Sequence, residues 1–170
     1  MILRSHQAGG TVSTALYSPC ETYRYLLTRV WDTDAPRLLF VMLNPSTASE
    51  LRNDPTVARC EARARAMGQG AVRVANLFAF RATDPRDLRA APAPEGPEND
   101  RLLVKSVQWA DGVICAWGNH GTLLGRAALA EALLRQTGKP LLHLGLTAAG
   151  QPRHPLYVRK DRAAECWIRP

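Results

Sequence analysis

Six consecutive apolar residues, Leu38 to Leu43, run directly into Asn44, Pro45, Ser46 and Thr47. An apolar run without polar alternation reads as a strand buried on both faces, as in a parallel sheet. Pro45 has no N–H for a ladder and pushes Asn44 out of helical geometry, so the strand stops there. Residues 71–77, 111–117 and 140–146 read as three more strands of the same kind. Helices fall between them. Asp54-Pro55 has the form of an N-cap followed by a first-turn proline, and that helix runs to Met67, where Gly68 and Gly70 end it. Asp84-Pro85 opens a short turn to Ala90, residues 98–109 form the next helix, and 122–136 the last.

Ahead of the central strand, 14–17 and 23–31 are β-rich runs with a turn at Ser18-Pro19-Cys20-Glu21. Tyr23, Tyr25 and Leu27 alternate with Arg24 and Thr28, a pattern that suits a half-exposed edge hairpin. Residues 1–10 are expected to fray. The Pro-rich stretch 91–97 reads as a stiff surface connection. The tail, 147–170, reads as loop, then a short apolar run at 156–158, then a short helix over 162–166 that tucks Trp167 against the body.

Strand–helix alternation of this kind predicts an α/β fold in one domain, residues 1–170. Its form would be a three-layer α/β/α arrangement around a central, mostly parallel four-stranded sheet, with an N-terminal antiparallel hairpin. Right-handed crossovers bring the carboxyl ends of such strands to one edge, where open α/β sheets bind ligands. Asn44, Asn76, Trp117-Gly118 and the 147–154 loop all fall there.

Charge alters this picture more than overall composition does. The apolar fraction, 46%, and charged fraction, 22%, are ordinary, but the formal charge is +7 and 19 of the 22 basic residues are Arg. Arg forks onto phosphate, which points to a nucleic-acid or nucleotide partner. A codon bias toward Arg and Ala accounts for the same count equally well. No run approaches the roughly 20 apolar residues of a membrane span. The first ten residues lack a secretory core. A cytoplasmic monomer without membrane association is expected. Cys20, Cys60, Cys115 and Cys166 are far apart with no C-x-x-C pair, so reduced, mostly buried thiols are expected ahead of a metal or iron–sulfur site, and no cofactor is implied.

The edge gathers two side-chain amides (Asn44, Asn76), aromatics (Phe78, Phe80, Trp117), an imidazole (His154) and arginines. An amide offers a donor beside an acceptor, which suits a nucleobase edge. Aromatic faces can stack, and an imidazole can donate to an oxygen that gains charge. No Ser–His–Asp spacing, Walker loop or G-x-G-x-x-G occurs. Each residue also has a plain structural role open to it. His154 can make one loop hydrogen bond, Asn76 can cap a turn, Trp117 can be core, and Arg63 and Arg65 can lie on a solvated face. Arg81, Asp84, Asn99 and Asp100 can pin the long loop as a network.

The chain resembles the bacterial domain-of-unknown-function 1643 family through MLNPSTA (42–48), NDPT (53–56), NLFAFRATDP (76–85), GPEND (96–100), AWG (116–118) and GQPRHPLY (150–157). The same landmarks, in the same order, resemble the uracil-DNA glycosylase superfamily. In those proteins a first strand ends in a water-positioning motif, G-Q-D-P-Y-H or G-I-N-P. A second strand ends in a base-reading Asn, a later one reaches W-G, and a loop carries H-P-S-P. Asn44-Pro45, Asn76, Trp117-Gly118 and His154-Pro155 stand at the matching places.

That resemblance implies a uracil-DNA-glycosylase-like fold and hydrolysis of N-glycosidic bonds of damaged or modified bases in DNA. Asn44 would orient water and His154 would steady the departing base, these two being the catalytic pair. Pro45, Ser46, Asn76, Phe78, Phe80, Arg81, Trp117 and Gly118 would bind the substrate, with Phe78 or Phe80 stacking on the flipped base. Arg153, Arg159 and Lys160 would hold phosphates. Asn44 stands where active relatives of that superfamily carry Asp, and an amide cannot accept a proton as a base, so Asp54 and Asp84 stand in reserve. Leu156-Tyr157 replaces the Ser-Pro after H-P. The alternative is a nucleic-acid or nucleotide-binding module of the same fold without hydrolysis.

Overall fold

Strand β4 (Arg37–Met42) lies between two parallel partners, β5 (Ala71–Asn76) and β6 (Gly112–Cys115). The computed structural model describes residues 1–169. Ahead of β4 come β1 (Ile2–Ala8), β2 (Thr11–Tyr17) and β3 (Arg24–Val30), and after β6 come the two-residue strands β7 (Leu142–His143) and β8 (Glu165–Cys166). All eight form one sheet in the order β1-β2-β3-β5-β4-β6-β7-β8. β4–β5, β4–β6 and β6–β7 pair in parallel, while β1–β2, β2–β3, β3–β5 and β7–β8 are antiparallel. The fold is mixed α/β, and the expectation of four mostly parallel strands beside one hairpin is corrected to eight strands whose pairings are more often antiparallel.

Two of the added strands were expected to be something else. Residues 1–10 do not fray: β1 pairs with β2 along its whole length, from Ile2 opposite Tyr17 to Ala8 opposite Thr11. β3 is not an edge, since β2 and β5 flank it and five of its seven residues are buried. Residues 162–166 form no helix; Glu165 and Cys166 pair with β7 instead. Trp167 is nevertheless buried, its ring 5.5 Å from that of Trp117.

Helix α1 (Pro55–Ala66) starts as its sequence dictates, with the Asp54 carboxylate accepting the Val57 N–H at 2.8 Å. α2 (Pro85–Ala90) is capped in the same way by Asp84, and α3 (Asn99–Trp109) follows. The last helix, α4 (Arg126–Arg135), begins later than expected. Residues Asn119–Gly125 form a 3-10 segment broken at Leu123 and Leu124, and Leu124 is left-handed at φ 54°. No described helix is long and apolar enough to cross a membrane.

Alternate residues of the central strands feed two apolar clusters. Leu38, Phe40 and Met42 join Val57, Cys60 and Ala64 of α1, whereas Leu39 and Val41 join Leu103 and Val107 of α3 and Ala130 and Leu134 of α4. A strand buried on both faces accounts for the unbroken run at 38–43. The carboxyl ends of β4 and β5 therefore emerge between helices, level with each other, Met42 opposite Asn76.

Candidate functional site

Beyond β4 and β5 the ladder continues for two more rungs, Leu77 N–H to Met42 O and Phe78 N–H to Leu43 O, both 2.9 Å. Asn44 then leaves the sheet. Its Nδ2 donates to the carbonyls of Ala82 (2.7 Å) and Pro45 (3.0 Å), which ties the loop after β4 to the loop after β5 and leaves Oδ1 as the free acceptor. The end of β5 is held from behind. Asn99 Nδ2 donates to the carbonyls of Asn76 and Leu77, Arg126 Nε donates to Leu77 O at 2.8 Å, and Arg126 pairs with Asp100. Asn99 and Asp100 thus belong to a structural network, as their second reading has it. Arg81 and Asp84 do not share it: Arg81 donates to Glu21 O, and Asp84 pairs with Arg86.

A cavity of about 160 Å³ opens where these strands end. Asn44, Asn76 and His154, far apart along the chain, all line it, joined by Arg24, Ser46 and Asp54 over an apolar floor of Met42, Val57 and Val74. Asn76 is 2% exposed and its Nδ2 makes no hydrogen bond within the protein. Arg24, also 2% exposed, gives one Nη donor to the Ala48 carbonyl while its Nε–H stays unpaired. Buried polar groups are normally bonded, so two unpaired donors on side chains that line one cavity are exceptions. Burial pulls Arg24 down to about 10, against the opposing charges of Tyr17 and Asp54, and it stays cationic at neutral pH. Among the described residues Asp54 is the only carboxylate lining the cavity, and its oxygens accept from Val57 N (2.8 Å) and Ala48 N (3.3 Å).

His154 sits at a junction. Its Nδ1 accepts the Leu156 N–H at 3.3 Å, which leaves the proton of the neutral ring on Nε2 as a donor. Burial lowers its pKa below the usual imidazole value, with the Asp54 charge acting the other way. Together with Leu43 it also lines a second cavity of about 410 Å³, bordered by Trp117, Gly118, Arg153, Thr147 and Tyr157. The two hollows therefore adjoin.

Other expected residues are placed differently. Phe78 is fully buried in the core and cannot stack on a ligand, and Phe80 packs edge-on against Tyr23, 6.3 Å between centroids. Residues 78–80 run on past β5 beside the start of β3, where Phe80 bridges Tyr23 and Ala79 O accepts the Arg24 N–H at 2.9 Å. Trp117 is core over most of its surface and donates Nε1–H to Gln151 Oε1 at 2.9 Å. Pro45 is buried, and Ser46 Oγ lies 3.1 Å from Thr83 Oγ1 at the cavity rim. Arg81 borders a shallow neighbouring hollow with Ser46 and Thr83. Arg153 donates to Leu146 O, Arg159 pairs with Asp161, and Lys160 lies along α1, so only Arg153 reaches either central cavity. Arg63 is not on a solvated face but buried, donating to the carbonyls of Arg159 and Arg162. Cys60 and Cys115 are buried, Cys20 and Cys166 exposed. No group of three or more His, Cys, Asp or Glu among the described residues is arranged to hold a metal. Sequence reasoning missed Arg24, whose place in an alternating strand reads as outward-facing.

A family model described as "Protein of unknown function (DUF1643)" matches residues 24–156, which takes in every residue named on the smaller cavity. No curated protein and no solved structure matches the chain.

Proposed function

This chain belongs to the DUF1643 family, and from that premise and the site geometry we propose that it recognises a nucleobase and hydrolyses its N-glycosidic bond in nucleic acid, most naturally DNA, on a three-layer, uracil-DNA-glycosylase-like fold. The observation that carries this reading is the meeting of Asn44, Asn76 and His154 around one small cavity. At about 160 Å³ the smaller cavity has the scale of a single heterocyclic ring. Sugar and phosphate would occupy the adjoining 410 Å³ hollow, where the Arg153 guanidinium offers donors. The two together fall within the ordinary range of ligand sites, about 300–1,000 Å³.

In this mechanism the base enters the smaller cavity and Asn76 Nδ2 donates to its edge. Water held by Asn44 Oδ1 attacks the sugar carbon. The C–N bond breaks with its electron pair leaving on the base, and His154 Nε2–H donates to an oxygen of the departing anion. Asp54 takes the proton released by the water, a task closed to the Asn44 amide. The net charge of +7 supports association with a polyanion.

A second reading, binding without hydrolysis, is favoured by one observation: both Asp54 oxygens already accept backbone N–H groups. Incubating excess protein with oligonucleotides that carry deaminated, oxidised or alkylated bases, and measuring free base, separates the two. Base release that falls at least about a hundredfold in His154→Ala supports hydrolysis, the scale of one lost charge-stabilising donor. Salt-sensitive binding without release supports the module. Neither release nor binding removes both.

A further inference from the structure

The smaller cavity has a charge character that the base-excision reading does not itself require. Of the side chains that line it, three have a donor without a protein acceptor, Arg24 Nε–H, Asn76 Nδ2–H and the Nε2–H of neutral His154, against the free acceptor Asn44 Oδ1. The Asp54 carboxylate on its wall is engaged by two backbone N–H groups. Arg24 is also needed structurally, because its Nη donor clamps the Ala48 carbonyl. That clamp leaves the Nε–H over, on a side chain sealed from bulk water. A buried cation with an unpaired donor is costly unless a ligand supplies the acceptor.

We propose that Arg24 is a ligand-contacting residue that makes this cavity selective for heterocycles presenting an acceptor edge that carries negative charge. This rests on the reading of the cavity as a base site and adds which electronic form of the ring it holds. An amino-bearing edge would set N–H against N–H at Arg24 and Asn76. A ring edge whose charge is shared by two carbonyl oxygens flanking a deprotonated ring atom presents only acceptors, and its charge is met by the guanidinium. The charged and titratable groups facing Arg24 are Tyr17 on β2, Arg29 on its own strand, Asp54 at the head of α1 and Arg81 in the loop after β5, with His154 across the cavity. Among them Asp54 is the one carboxylate against the guanidinium groups of Arg24, Arg29 and Arg81, so an anionic ligand faces a net positive wall.

The test uses three single-ring probes on the intact protein, with binding followed by calorimetry or ligand-observed NMR. Barbituric acid has lost its C5 proton at neutral pH and carries the charge on the two flanking carbonyl oxygens, uracil has the same ring size and is neutral, and 2-aminopyrimidine is neutral and sets an amino donor between its two ring nitrogens. Barbiturate is expected to bind about ten- to hundredfold more tightly than uracil, the range of a charge-assisted hydrogen bond out of water, and 2-aminopyrimidine most weakly. Arg24→Gln should bring barbiturate within about twofold of uracil, and Arg24→Lys should keep part of the difference. A thermal melt of each variant reports whether the Ala48 clamp still holds. Should Arg24→Gln unfold, the wild-type comparison decides, as does barbiturate affinity in acid, which should fall as the ligand takes up its proton. Binding that ignores ligand charge overturns the role of Arg24 and leaves the base site standing. No binding by any of the three overturns both.

Discussion

Asn99, at the first turn of α3, donates one side-chain amide group to two consecutive carbonyls, Asn76 O and Leu77 O, each at 2.9 Å. These are the residues where β5 ends and the cavity begins. The amide therefore fixes the main chain that aims Asn76. Asn99→Asp replaces the donor with an acceptor facing two acceptors at a site 1% exposed. Losing the bonds and burying an unmatched group should cost about 2–3 kcal/mol, a fall in Tm of roughly 4–12 °C for a domain of this size. Asn99→Ala should cost less, since it leaves carbonyls unpaired but adds no repulsion. Thermal melts of the two variants check the order Asp below Ala below wild type.

Two histidines, His143 buried and His154 half-buried, are bonded in the same way. His154 Nδ1 accepts the Leu156 N–H, His143 Nδ1 accepts the Gly145 N–H at 2.9 Å, and burial lowers both pKa values. Protonating either ring breaks its bond. In the unfolded chain each titrates near 6.5, so the stability they contribute is complete above that value. It is lost as pH falls from about 6.5 through their lower folded values, because the unfolded state takes up protons first. Urea midpoints should therefore drop between pH 7.5 and 5. His154→Asn, whose Oδ1 can accept the same N–H without titrating, should flatten part of that slope, and His143→Asn another part. An unchanged slope in both variants would contradict the assignment.

Much of the frame was legible because local and long-range preferences agree. The unbroken run at 38–43 is a strand buried on both faces, and Asp54-Pro55 begins α1 through a side-chain cap that the two residues make alone. What escaped reading depends on partners distant in sequence. β1 is exposed over six of its seven residues, so it has no apolar period and exists by pairing with β2. β8 is two exposed residues held by β7. β7 is shorter than its apolar run because Gly145, at φ 110°, turns the chain and gives its N–H to a side chain. Within the site, Asn44, Asn76 and His154 were named by spacing alone, whereas Arg24 is buried by the 44–48 loop folding over it, which no alternation pattern registers. Phe78 failed as a platform for a related reason: being next to a strand end says nothing of which way the following turn faces.

Asn76 should trade stability for binding. Its Nδ2 is buried without a partner within the protein, so Asn76→Leu removes an unsatisfied donor while roughly keeping volume. Removal of such a group is worth about 1–3 kcal/mol, offset in part by repacking. The variant is expected to melt at or above the wild-type temperature and to lose ligand binding or turnover at least tenfold. A clear fall in stability would mean that the amide serves the fold.

Arg63 ties the tail to α1, and through the tail it bears on His154. Its guanidinium donates to Arg159 O (2.9 Å) and to Arg162 O, and Arg59, one turn earlier, donates to Val158 O at 3.2 Å. These carbonyls follow directly on the 3-10 turn Pro155–Tyr157, whose N-cap is His154. Arg63 is 7% exposed, so its bonds are shielded from water and worth more than those of a surface pair. Arg63→Ala should cost about 2 kcal/mol, or roughly 4–8 °C in Tm. It should also free residues 158–162, which carry trypsin sites at Arg159, Lys160 and Arg162, so limited digestion ought to cut there faster than in wild type while the body stays intact. Arg63→Lys, with a charge but no fork, should fall between the two. Because His154 is seated by the same turn, ligand binding should weaken in step with tail cleavage across the series. Tail cleavage without any loss of binding would separate His154 from this anchor.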